Sequence, residues 1–186
     1  TTLFRSIDYE SEFTGDSTQN LSPENHAGEG YVKRAETPYL ELYLKVDDYR
    51  LYEQDFMTGE YVLAPTDRQR YDIAVYDKQS GKLWRSLVPD ENIDYENLNE
   101  SLTSQMQSLV TFTYYDLLLG NNRETEVNPM DSDVDCTINV SNITNGVRLT
   151  YDFPSLNISF ALDFKIYEDK FDVVVPREEI KESVQD

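Results

Sequence analysis

Three alternate aspartates, Asp131, Asp133 and Asp135, are the residues whose type and spacing point most directly to chemistry. Carboxylates two residues apart open a calcium loop, because hard oxygen donors suit Ca²⁺. The rest of an EF-hand loop does not follow. Cys136 stands at the sixth position in place of glycine, and Asn142 stands where the bidentate glutamate belongs. In a strand, the same spacing sets Asp133 and Asp135 on one solvated face. The expectation is no cofactor, with Asp131, Asp133 and Asp135 as the one calcium candidate.

Aromatic residues form the second set, with 14 Tyr, 8 Phe and Trp84. Sheets hold sugar rings on aromatic platforms, where the ring face stacks and neighbouring polar groups take the hydroxyls. Tyr49, Tyr52, Phe56 and Tyr61 fall close together, with Asp47, Asp48, Arg50 and Gln54 alongside. They are the candidate carbohydrate contacts. Against that reading, tyrosine favours strands and half-buried edges for its own sake.

Nucleophilic catalysis finds no partner set. Cys136 is the only cysteine and His26 the only histidine, and His26 lies in a polar loop bounded by proline and glycine. Cys136 alternates with Val134, Ile138 and Val140, the pattern of a small buried hydrophobe. No G-x-S-x-G, H-E-x-x-H, phosphate-loop or dinucleotide motif occurs. Among 36 acidic residues, carboxylate pairs arise by chance and single out no glycosidase site. No autonomous enzyme is expected.

The elements that must position these residues are strands. From Leu156 to Ile166, apolar residues fall at every second position, with Asn157, Ser159, Asp163 and Lys165 between them. Val147–Phe153 before it and Phe171–Val175 after it continue the alternation, so an antiparallel meander is predicted. Asn145-Gly146 predicts its first turn. Upstream, PYLELYLKV alternates in the same way, and YDIAVYD and KLWRS flank a Gly-containing link at Lys78–Gly81. Asp47 to Tyr71 predicts an extra hairpin or a long decorated loop. LVTFTYYDLLL is β-prone, and Asn99 to Gln107 fits either a helical turn or a lead into that strand.

No helical periodicity separates the strands, which argues against a parallel α/β sheet. The fold class expected is all-β, an antiparallel two-sheet β-sandwich of about nine or ten strands with little helix. Residues 1–35 are expected to be an arm or linker, with Leu3, Phe4, Ile7, Tyr9 and Phe13 able to pin it as an edge strand. Residues 36–176 are expected to form the sandwich, and 177–186 a charged, helix-compatible exit toward a following domain. With 16 basic and 36 acidic residues the net charge is −20. That balance argues against nucleic-acid and anionic-lipid partners, which need clustered Lys and Arg. No apolar run is long enough to predict membrane insertion.

The succession GYVKRAETPYLELYLK, DIAVYDKQSGKLWRS, LNESLTSQMQSLVTFTYYD, NGVRLTYDF and FKIYEDKFDVVVPREEIKE resembles the N-terminal region of a Gram-positive protein family. These are large extracytoplasmic proteins of unknown function that accompany carbohydrate uptake and look like glycoside-hydrolase relatives. The resemblance covers about Gly30 to Glu182 and rests on hairpin turns and strand faces. It implies a galactose-mutarotase-like (supersandwich) β-sandwich preceding a catalytic-looking barrel, at an extracellular or cell-surface location. It carries over no catalytic residue, and Asp48 to Arg70 departs from it as an insertion. The expected role is a non-catalytic accessory domain partnering an adjacent catalytic domain. The alternative is an independent module binding oligo- or polysaccharide through the aromatics at 49–61.

Overall fold

The computed structural model describes residues 21–95, 97–116 and 123–182. The expected edge strand within Leu3–Phe13, the tail beyond 182 and the turn expected at Gly120–Asn122 lie outside the described residues. The strands are β1 Tyr31–Glu36, β2 Leu40–Gln54, β3 Tyr61–Asp77, β4 Lys82–Arg85, β5 Phe112–Asp116 and β6 Arg123–Val127. They continue as β7 Thr137–Ile143, β8 Gly146–Phe153, β9 Ile158–Tyr167, β10 Lys170–Val174 and β11 Lys181–Glu182. Among the described residues one α-helix, α1, spans Glu100–Met106.

Every strand pair is antiparallel. The first sheet has the order β1-β2-β3-β4 and the second β10-β9-β8-β7, with β11 also on β9 and β5-β6 as a separate ribbon. The period-two pattern explains the packing. Leu40, Leu42 and Leu44 of β2 and Ile73 and Val75 of β3 share one face of the first sheet. They join one buried cluster with Val147, Leu149, Tyr151 and Phe153 of β8 and Phe160, Leu162, Phe164 and Ile166 of β9. Two sheets turning apolar faces to each other make a sandwich, and burial of these rows is its main source of stability. Phe112 of β5 packs edge-on against Phe153 and Phe160, at ring-centre distances of 5.0 and 5.4 Å. The short ribbon thereby contributes to the same core.

Three expectations change. The first sheet begins at Tyr31, inside the stretch expected to be an arm, and Ala27 and Tyr31 pack with Tyr43 and Ala74 on that sheet's outer face. Over residues 47–71 the hairpin alternative holds; β2 and β3 run through as one long hairpin, with a bulge where Asp48 pairs Gln69 and Arg50 pairs Pro65. The exit is not helical across its described part. A single 3-10 turn at Arg177–Glu179 leads into β11, which pairs with Ser159 and Ile158 of β9. Between Asn99 and Gln107 the chain does take the helical alternative, because Asn99 Oδ1 accepts the Leu102 amide at 2.8 Å and caps α1.

The third change concerns Asn145-Gly146. Ile143 pairs with Gly146, so the two-residue loop is Thr144-Asn145, and Asn145 takes the left-handed conformation at φ 57°. Gly146 is instead a strand residue. A Cβ there would lie 2.0 Å from the Phe164 carbonyl oxygen, so β8 and β9 approach too closely for any side chain. Gly146→Ala is expected to cost about 3 kcal/mol through forced separation of these strands. Urea unfolding checks this; an unchanged midpoint would show that the strands can part freely.

Candidate functional site

Strand alternation sends Lys45 and Asp47 of β2 and Arg70 and Asp72 of β3 to the face opposite the core. Lys45 pairs with Asp72 across the ladder, and Asp47 with Arg70. With Tyr31, Arg85 and the loops 27–29 and 87–91, they line a cleft of about 170 Å³ on the outer face of the first sheet.

The cleft is built from held charges. Asp72 accepts hydrogen bonds from the Ser86 amide (3.2 Å), the Ser86 hydroxyl (2.8 Å) and the Leu87 amide (3.1 Å), and a further one from the Tyr31 hydroxyl. That carboxylate fixes the chain where it leaves β4. Arg70 grips Asp90 with two parallel bonds of 2.5 and 2.7 Å and lies 3.5 Å from Asp47. It also donates to Gln107 Oε1 at 3.2 Å, next to the C-terminus of α1. Arg85 lies over the Tyr31 ring at 5.3 Å and donates to the Ala27 carbonyl. Burial and the bond to Asp72 push the Tyr31 hydroxyl well above its ordinary pKa, which keeps it a donor. Burial alone would raise Asp47, but Lys45 outweighs it and holds the carboxyl below its usual range. These groups are suited to hydrogen-bond recognition of a small polar ligand, with donors and acceptors fixed beforehand.

A second polar cluster adjoins the cleft on the same face. Glu41, almost fully buried, accepts from Lys33 at 2.9 Å and from the Tyr43 hydroxyl, and lies 2.7 Å from His26 Nδ1. Glu36 accepts from Lys78 at 2.5 Å, Lys33 at 3.3 Å and the Ser22 amide at 2.7 Å. His26 stacks on Tyr76 with ring centres 4.2 Å apart, and its amide donates to the Tyr43 hydroxyl. The histidine expected in a loose arm therefore pins residues 21–30 over the sheet.

Of the candidate carbohydrate contacts, Tyr49 and Phe56 do not share one platform. Tyr49 is only 1% exposed, and its hydroxyl has no hydrogen-bond partner among the described residues; burial pushes that hydroxyl up to about 12. Phe56 stands at the hairpin tip, 99% exposed. By backbone register Tyr52 pairs with Leu63 and Tyr61 with Gln54, and the side chains of Tyr52 and Tyr61 lie outside the described ones.

The three aspartates do not converge either. Asp131 accepts from the Ser104 hydroxyl (3.0 Å), the Asn128 side-chain amide (2.7 Å) and the Asn128 backbone amide (2.8 Å), while Asp133 and Asp135 are exposed. Arg68 fills the loop instead. Its guanidinium donates to the carbonyls of Pro129 (3.1 Å), Val134 (3.0 Å) and Ser132 (3.5 Å), and also to that of Asp131. Among the described residues no group of three or more His, Cys, Asp or Glu is placed to hold a metal ion. Cys136 is partly buried against the core, and burial pushes its thiol up to about 12. Among the described residues no helix is long and apolar enough to cross a membrane.

Sequence reasoning missed the cleft, the His26–Glu41 contact and the Arg68 brace. One signal was present: the face of β2 opposite its leucines mixes Tyr43 with Glu41, and Ala27 between polar residues is the small apolar residue that covers it.

No protein-family model matches the chain, and no curated protein or solved structure matches it.

Acid should loosen the cover over residues 21–36. Burial would raise Glu36, but hydrogen bonds from Lys78, Ser22 and Lys33 outweigh it and lower the carboxyl from 4.5 to about 2. A depressed folded-state value gives stability that is complete above the unfolded pKa and lost as pH falls from about 4.5 toward 2. Denaturation midpoints should fall across that window, and Glu36→Gln should flatten the fall; an equal slope in the variant would refute the assignment. Arg68→Ala is expected to cost about 2–3 kcal/mol, because the 129–134 carbonyls lose a charged donor. The same unfolding measurement reads it.

Proposed function

We propose that this chain is a non-catalytic β-sandwich module of a larger extracellular carbohydrate-active protein, and that it docks beside the catalytic domain. The observation that carries the reading is the tip of the β2–β3 hairpin. There Asp55 accepts from the amides of Met57 (2.7 Å) and Thr58 (3.0 Å), and the Gly59 amide returns to the Asp55 carbonyl at 2.8 Å. Gly59 takes φ 72°, a conformation that favours glycine. This turn is fixed by its own hydrogen bonds, and it presents Phe56 at 99% and Met57 at 90% exposure.

Two large apolar side chains held in water on a preformed turn are contact groups, because docking removes their surface from water without first ordering the loop. The resemblance of the Gly30–Glu182 segments supports the carbohydrate setting. The outer-face cleft, with its fixed donors and acceptors, suits a module that lines part of a substrate groove. A second reading follows from the same tip: Phe56 is an exposed ring able to stack on a sugar face in an independent glycan-binding module.

Replacing Phe56 and Met57 together with Ser in the parent protein is expected to weaken interdomain association roughly tenfold or more. Differential scanning calorimetry should show the catalytic domain melting earlier while the module's own transition stays in place. Unchanged melting of both would refute docking through the tip. Binding of the isolated chain to a polysaccharide panel, lost in Phe56→Ala, would favour the glycan reading instead.

A further inference from the structure

We propose that the β10 edge is a pairing surface for a second copy of this chain, joining two second sheets into one continuous sheet across a two-fold axis at Val173. β10 pairs with β9 on one side, and no described strand pairs with its other side. All five of its residues are exposed. Alternate residues of such an edge turn N–H and C=O groups outward, ready to bond another strand. Between Lys170 and Val174 no proline or bulge interrupts the edge, and its two charges, Lys170 and Asp172, are of opposite sign. Phe171 and Val173 lie on the same face as their partners Ile166 and Phe164, which are buried in the core. Yet Phe171 is 39% exposed and Val173 53%. The apolar row of the sandwich runs out past its cover. Val175 extends it by one residue, and Pro176 behind it biases Val175 to an extended backbone.

The pattern of the strand selects its own copy as occupant. Placing Val173 on the axis of an antiparallel pair sets Phe171 opposite Val175 of the second copy, and Asp172 opposite Val174. The core-side row is then apolar from end to end, and no two like charges face each other directly, which cross-strand pairing requires. An isologous contact of this kind closes on itself and stops at two copies. Net charge of −20 opposes association through most of the surface, but Lys170 and Asp172 leave β10 itself neutral. The repulsion that remains is long-range and screened by salt, so association should strengthen as salt rises. A contact of one short strand is small, which places it in the weak class, with a Kd on the order of 100 μM.

Sedimentation velocity on the intact chain from about 10 to about 500 μM, at about 0.02 and 0.15 M salt, tests this. A reversible monomer–dimer equilibrium that strengthens with salt is expected. Val173→Lys sets two ammonium groups face to face on the axis and should leave only monomer, whereas Val173→Thr keeps the strand shape and should retain the dimer. Val173→Cys reports register separately. On-axis Cα atoms in an antiparallel pair lie about 4.5–5.5 Å apart, within disulfide range, so mild oxidation should link two chains through that residue. Thermal melts confirm that each exposed-site variant is folded; if Val173→Lys is not, the oxidised Val173→Cys product decides. Monomer throughout the range, a dimer that survives in folded Val173→Lys, or no cross-link in Val173→Cys would overturn the proposal.

Discussion

The antiparallel ladder between β2 and β3 is the constraint from which the rest of the molecule follows. Its register turns Leu40, Leu42 and Leu44 and their partners Val75 and Ile73 toward the second sheet. One residue out of phase, it turns Glu41, Tyr43, Lys45 and Asp47 the other way, so core and cleft are two faces of a single pairing. A slip by one residue would exchange them, which is why such a register is held so strongly. The bulge in this ladder sets Tyr49 against Thr66, Asp67 and Arg68. Thr66 steadies it by donating to the Tyr49 carbonyl at 3.0 Å and accepting the Arg68 amide at 3.2 Å. Pro65 cannot donate to a ladder, and a bulge is where a strand tolerates that loss. The extra residues bring Arg68 to the carbonyls of the 129–134 loop, so the irregularity of one sheet organises the approach to the other.

Charge in this protein is sorted as much as it is abundant. On the outer face of the second sheet, Asp163 is nearly fully buried between Arg148, bonded at 2.6 and 3.0 Å, and Lys165 at 3.0 Å. Arg148 reaches on to Glu179 at 2.6 Å and so ties the turn after β10 back across the sheet. Such buried pairs add little net stability over an apolar substitute, but losing one partner strands the other. With basic residues so outnumbered, cations are drawn to the places where carboxylates are buried. The cover at Glu36 and Glu41, the cleft at Asp90 and this patch at Asp163 are those places. Acids such as Asp133, Asp135, Glu168 and Asp169 stay in water and contribute surface charge.

The meander from Gly146 to Val174 was legible because its side-chain period is two and both faces have a plain destination. Residues 21–30 were not legible, because what holds them is mostly backbone and single contacts. Asn25 accepts the amides of Ala27 and Gly28, and Ala27 fills a small gap under Tyr31 and Tyr43. None of this has a periodicity. The aspartates at 131, 133 and 135 misdirected attention for a related reason: a ligand motif lists side chains, whereas this loop is held by an arginine bonded to main-chain oxygens. The aromatic group at 49–61 divided because the bulge lies within it, leaving Tyr49 inside and Phe56 in water. Cross-ladder partners such as Arg70 and Asp47 are distant in sequence, so the cleft emerges only once register is known.

The half-buried Cys136 gives the molecule a built-in clock. Reagents attack the thiolate, and burial that pushes the thiol up to about 12 keeps that form scarce near neutral pH. Its neighbours Val134 and Ile138 pack against the main cluster at the start of β7. A thiol reagent therefore reacts slowly with the folded chain and faster whenever that corner of the sandwich opens to water, so the labelling rate follows those openings. Since this is the sole cysteine, the rate belongs to one place in the fold, and it times the breathing of the core without any introduced probe.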